Sequence, residues 1–538
     1  LPAEAWLKIW LKGRTCSAAS AVANSEPTQP HPTTIMTAPP LPTAIWIIIG
    51  LLSVAVGQQA GTQSQEEGPQ VMLRNCTVEG GCSEVASRLT LDANWRAASS
   101  ADGSESCFKD RKWAGSSCSG EDPVACARSC AVEGVTADEY QKNFGVEAVE
   151  GGIELALVKQ TDSHSSFGSR LYMLDDENKY KMFRLKNREF SLEVDVSSLP
   201  CGLNGAVYFV EMNETGGQGT GHNQAGAEYG LGYCSAQCPH DVKFIDGEAN
   251  LLSWNATADP PAGRYGACCA EMDIWQANSM ASAFTPHPCT HEGPLRCDGS
   301  ECGDTERGER YSGLCDKDGC DFNSFRMGNK SFYGAGSGFS VDTTRPLTVV
   351  TQFITHDGTD TGDLSEIRRF YVQDGVEVPN SVASVLGTDA GSSITEEFCA
   401  EQKAAFTDLN DFKAKGGLAQ MGEALDRGMV LVLSLWDDAK ANMLWLDSAY
   451  PVPEEETRPG VLRGPCPGGE DSTPKFLRSE HPDASVRFAK MAVGEIGSTQ
   501  AGKSNAPGDP TSLPVDPQTP AATPSSGPRR LGERFNFV

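Results

Sequence analysis

The sequence predicts an all-β fold, a large antiparallel sandwich whose long loops are tied down by disulfides. Three observations predict it. Gly (56) and Pro (32) are frequent among the 538 residues while long helical periodicities are scarce, the pattern of many strands joined by turns. Strand signals recur from about residue 70 to 497, with no Pro/Ser-rich break long enough to separate one domain from another. Eighteen of the 19 cysteines lie between Cys76 and Cys466, an even set, as an exported and fully paired protein would carry.

Taken in chain order, residues 1–35 precede Met36, a candidate start, and are expected to be an upstream extension. Residues 36–57 are expected to be a signal peptide. Its apolar run at 44–56 falls short of the about 20 residues a membrane span needs. Ala55-Val56-Gly57 supplies the small residues of a cleavage site, although no Lys or Arg stands between Met36 and the run. The product would be secreted, with no stable membrane insertion. Asn-x-Ser/Thr sequons at Asn75, Asn213, Asn255 and Asn329 are expected at the surface.

Residues 58–499 are expected to form one domain. Phe190–Val196 alternates apolar and polar residues as a half-buried strand does. Arg369–Val376 places Asp374-Gly375 after an apolar run, a hairpin cue. Gly428–Leu435 is nearly all apolar, which fits a strand buried on both faces. Short helices are expected at 396–406 and 418–427. Residues 500–538, rich in Pro, Ser, Thr and Gly, read as a disordered tail. The formal charge of −28 repels phosphate backbones and argues against a nucleic-acid partner.

The chemistry concentrates in Glu271-Met272-Asp273-Ile274-Trp275-Gln276-Ala277-Asn278. Side chains alternate across a strand, so Glu271 and Asp273 face the same way. Residue 276 joins them only if a bulge inserts one extra residue. There stands Gln276, whose amide fills the space of a carboxyl but gives up no proton at neutral pH.

This strand, with Thr285-Pro286-His287-Pro288-Cys289 after it, resembles glycoside hydrolase family 7, the cellobiohydrolases and related endoglucanases. So do Asp92-Ala93-Asn94-Trp95-Arg96, Pro200 to Ala206, Gly232-Tyr233-Cys234, Gln237-Cys238-Pro239, Ser434 to Asp438 and Ala441 to Asp447. The resemblance runs in order from Cys76 to Ser498. It implies a concanavalin-like β-jelly-roll sandwich of two large antiparallel sheets, whose loops form a groove or tunnel for a β-1,4-glucan such as cellulose. It implies a retaining double displacement in which Glu271 is the nucleophile, Asp273 its supporting carboxyl, and Gln276 occupies the acid/base place. Turnover is then reduced. The alternatives are a glucan-binding protein that does not cut, another acid from near His287 or from a loop, or a change in the sequence itself.

The resemblance also implies sugar-stacking at Trp95, Trp436 and Trp445. It implies hydrogen bonds to sugar from Asn204, Tyr208, Gln237, His287, Arg310, Asp318, Asp321, Arg326 and Arg463. Departures from the family pattern are Ala97, Ser235, Phe322, Ala439 and Lys440, which imply a weaker grip on a single chain. The Cys302–Cys315 interval keeps the length of a tunnel-roofing loop and leans toward chain-end action. Nine disulfides follow from the resemblance: Cys76–Cys82, Cys107–Cys130, Cys118–Cys126, Cys201–Cys466, Cys234–Cys269, Cys238–Cys268, Cys289–Cys315, Cys297–Cys302 and Cys320–Cys399. Zinc binding by Cys234/Cys238 and Cys297/Cys302 competes with this pairing and is not expected of an exported chain. The ligand order of a calcium loop fails at Asp316-Lys317-Asp318-Gly319. No metal or cofactor is expected, and the protein is expected to act as a monomer.

Overall fold

Thirteen strands follow one another along a continuous hydrogen-bonded path, and that path doubles over to make two layers. In a computed structural model, the chain is described at residues 58–500 except 162–164, 220–222, 305–308 and 388–390. The expected extension, signal peptide and tail, apart from Gln500, lie outside the described residues. One layer runs Phe322–Asn323, Ser282–His287, Glu271–Ala277, Leu203–Val210, Met429–Asp437, Ser169–Leu174 and Gly81–Leu91. The path then passes through Gln70–Thr77 to Ser485–Glu495, Arg188–Asp195, Leu347–Thr355, Leu364–Gln373 and Val376–Pro379. Neighbours on the path are antiparallel, with the joint itself, Gln70–Thr77 against Ser485–Glu495, parallel. The two expected sheets are thus present but share this seam.

The layers meet through alternate residues. Leu203, Val207 and Phe209 of one enter the same core as Phe190, Leu192 and Val194 of the other, and the Phe190 and Phe209 rings meet edge-on at 5.2 Å. On the opposite face of the first layer, Ala206, Tyr208 and Val210 lie with Tyr172, Val430 and Val432 under Tyr233, Val242 and Ala267. Phe322 is correspondingly not a groove platform. It is stacked between Phe284 and Phe398, at 5.4 and 5.1 Å, and 1 % exposed. Its departure from tryptophan therefore alters packing rather than the grip on sugar.

Local signals explain the boundaries. Asp374 and Gly375 both have positive φ, 52° and 78°, as the two-residue turn between Leu364–Gln373 and Val376–Pro379 requires. Helix Glu396–Phe406 starts where the Thr395 hydroxyl accepts from Phe398 N at 3.1 Å. Helix Gly417–Arg427 stops at Gly428, φ 106°. All nine expected disulfides are formed. The cysteines that could pass for zinc ligands are consumed in them.

Candidate active site

The strand Glu271–Ala277 carries the bulge its chemistry demands. Against Leu203–Val210, Glu271 faces Val210 and Asp273 faces Tyr208, but Val207 faces Trp275, so Ile274 is skipped. Against Ser282–His287 the register shifts in the same interval, and Gln276 faces Ala283. Ile274 and Trp275 both enter the sandwich core, with Met272 and Ala277. Glu271, Asp273 and Gln276 consequently lie on the other face, in line with Val210, Tyr208 and Ala206.

Each carboxylate is held. A Glu271 carboxylate oxygen accepts from Ala236 N at 3.0 Å, and the nearby Ser235 hydroxyl favours its ionised form. Burial first, and the neighbouring Asp273 second, push the Glu271 carboxyl above the ordinary range. Asp273 lies 3.1 Å from His287 Nε2, while His287 Nδ1 is 2.8 Å from the Asp316 carbonyl. Burial alone would depress the imidazole, but the hydrogen bond and charge of Asp273 overcome it and raise His287 to about 9. Both ring nitrogens are thus engaged. His287 clamps Asp273 against the Asp316 carbonyl.

The strand end is fixed by a second network. Asn278 Nδ2 donates to the Leu203 carbonyl at 3.0 Å and to Asp447 at 2.7 Å, and Asp447 also accepts from Gly202 N at 2.8 Å. Asn204 joins this network from the strand face it shares with Ala206 and Tyr208, and its Nδ2 has no hydrogen-bond partner among the described residues. It is fully buried, and its Oδ1 accepts from Ala277 N at 2.9 Å. Next to Gln276, Ala283 packs with Met443 and Leu446 against Trp436 and Trp445. The two indoles stack at 6.2 Å with planes 27° apart, and Asp438 accepts from Trp445 Nε1 at 3.0 Å. Both indoles are half-buried, with the flat apolar faces that a sugar platform needs.

The remaining expected contacts divide. Tyr208 hydroxyl meets Tyr233 hydroxyl at 3.0 Å. Gln237 is exposed and donates to the Lys317 carbonyl at 2.8 Å, linking two loops. Arg310 makes a double hydrogen bond to Asp318, at 2.6 and 2.9 Å, and both are half-buried. Arg463 stands 3.8 Å from Asp321, over the Tyr450 ring. Arg326 is placed otherwise than expected. Its side chain is 2 % exposed, and its donors are spent on Asp321, Asp408 and the Gly460 carbonyl. It braces loops instead of reaching for sugar. Burial alone would lift the Asp321 carboxyl, but Arg326 and Arg463 overcome this and hold it down at about 2.

Several contributors carried no sequence signal. Arg170 pairs with Asp92 at 2.9 Å, lies 3.4 Å over the Tyr233 ring and 5.5 Å from the Trp95 ring. It backs the half-buried Trp95. Ala236 acts through its backbone, which no side-chain motif announces.

Comparison with known proteins agrees with this geometry. The model of "Glycosyl hydrolase family 7" matches residues 60–500. A family 7 cellobiohydrolase from Daphnia pulex is 47 % identical, covers 82 % of this chain and 100 % of its own, and superposes with a TM-score of 0.79. A Melanocarpus albomyces cellobiohydrolase solved with cellotetraose gives 39 %, 82 %, 99 % and 0.75. The Humicola insolens endocellulase EGI gives 34 %, 82 %, 100 % and 0.69.

Proposed function

This chain belongs to glycosyl hydrolase family 7, and from that premise we propose that it is a secreted, monomeric, cellobiohydrolase-like retaining enzyme for β-1,4-glucans whose proton-transfer group is missing. Glu271 attacks the anomeric carbon to form a glycosyl-enzyme. Asp273, clamped by His287, orients it. Trp95, Trp436 and Trp445 carry pyranose faces, and Gln237, Arg310, Asp318 and Asp321 offer polar contacts along the groove. Relatives solved with cellotetraose and cellobiose support a glucan ligand.

The observation that carries the reading is the bulge at Ile274, which puts residue 276 beside the two carboxylates. Gln276 there hydrogen-bonds but does not protonate a departing sugar or activate water. Losing such a group costs about 10²–10⁴-fold. Cleavage of cellulose is therefore slow, and an aryl glycoside whose leaving group departs unprotonated is the better substrate. The same substitution favours a second reading, a glucan-binding protein that does not cut.

Rates on cellotetraose and on an activated aryl cellobioside, with and without azide, separate the two. The enzyme reading expects turnover of the aryl substrate, accelerated by azide, and a gain of about 10²–10⁴-fold on cellotetraose in Gln276→Glu. Cellotetraose binding with no cleavage of either substrate by either protein would leave only the binding reading.

A further inference from the structure

We infer that Arg369 is the positioning residue that locks the bulge at Ile274 and so keeps residue 276 facing the groove. Arg369 lies in Leu364–Gln373, on the opposite layer of the sandwich from the strand Glu271–Ala277. In that strand Ile367, Arg369, Tyr371 and Gln373 alternate toward the interior, and Arg369 is 4 % exposed. Its Nη2 donates across the core to the carbonyl of Ile274, the residue skipped by the neighbouring strand. The guanidinium lies 4.3 Å from the centre of the Phe284 ring. Two residues along, Tyr371 meets the Trp275 ring edge-on at 6.5 Å. Both bulge residues are therefore gripped by Leu364–Gln373.

The chemistry of this contact is unusual for a core. A buried guanidinium is costly unless paired, yet Arg369 forms no ion pair with a carboxylate among the described residues. Packing alone would favour an apolar side chain here. What an apolar residue lacks is a donor long enough to cross the interior and flat enough to stack on Phe284 while reaching one carbonyl. Without that donor the extra peptide leaves its carbonyl unpaired in a dry core. Regular alternation then relieves the strand, and a one-residue slip exchanges the two faces. Gln276 would turn toward the core and Trp275 toward the groove.

The placement of residue 276 is read directly by thiol accessibility, which needs no turnover and so stands or falls apart from the proposed reaction. Gln276→Cys is made in the native chain and together with Arg369→Met or Arg369→Lys. Labelling by a charged methanethiosulfonate is followed on the peptide containing residue 276, with and without cellotetraose. With Arg369 present, labelling is expected to be fast and slowed by the sugar. With Arg369→Met it is expected to slow at least ten-fold and to lose its response to the sugar, with Arg369→Lys in between. If Arg369→Met does not fold, Arg369→Lys decides, with slowed labelling expected. Unchanged labelling and protection in the folded variants, even with a lowered melting temperature, would reduce Arg369 to a structural role and overturn the inference.

Discussion

Two neighbouring side chains set the pH behaviour. In the proposed reaction Glu271 works ionised, and its carboxyl is raised by burial and by Asp273. Its activity on an activated aryl cellobioside should therefore rise with pH along a limb displaced to the alkaline side of the ordinary carboxylate value, about 4.3. Because Gln276 does not titrate, no falling limb belongs to residue 276, and Gln276→Glu should introduce one. A pH–rate profile of both proteins checks this. The stability consequence has the opposite sense. A carboxyl raised by folding stabilises the fold below its unfolded value and loses that contribution as pH rises through the folded one. Glu271→Gln should therefore raise the melting temperature at pH 8 more than at pH 4. His287, also raised, contributes fully below about 6.5 and loses its contribution through about 9. Placement at this scale was legible where a motif names it, as at Glu271 and Asp273, which share one strand face. Arg326 looks like a sugar-binding residue in sequence, because nothing local shows that Asp408 accepts its hydrogen bond.

At the scale of elements, the strand Glu271–Ala277 shows how far a pattern reaches. Requiring residues 271, 273 and 276 to share a face already demands an inserted residue, and the bulge is there. What holds it was not legible, since Arg369 is 95 positions from Ile274 and resembles any surface arginine of a strand. The same limit applies to the platform. Trp436 and Trp445 are recognisable, but their stacking depends on Asp438, which accepts from the indole and from Lys440 N and Ala441 N. Trp445→Ala should weaken cellotetraose binding roughly ten-fold, about 1.4 kcal/mol, while leaving the labelling of Glu271 by a small activated glycoside nearly unchanged. Calorimetry with each protein measures the first.

Across the whole molecule, loops make the site and cross-links hold the loops. Cys201–Cys466 closes 265 residues, joining the start of Leu203–Val210 to the segment in which Cys466 N donates to the Asp447 carbonyl at 2.9 Å. Such a closure contributes up to about 5 kcal/mol in the chain-entropy model. Replacing both cysteines by serine should lower the denaturant midpoint and loosen the strand end held by Asn278. Hydrogen exchange at Gly202 and Ala277 reads that loosening. The layered β architecture was legible from alternation and turns, whereas the cysteine pairing was not. Spacing alone leaves the partners of eighteen cysteines open, and only likeness to a family ordered them.

The central claim is that the Glu271 carboxylate faces a groove-bound sugar and becomes glycosylated. The most direct measurement is incubation with an activated 2-deoxy-2-fluoro-cellobioside followed by peptide mass spectrometry. The account predicts one adduct, on the peptide containing Glu271, absent from Glu271→Gln and slowed by cellotetraose. No adduct from a folded protein that binds cellotetraose, or an adduct on another carboxylate, would contradict it.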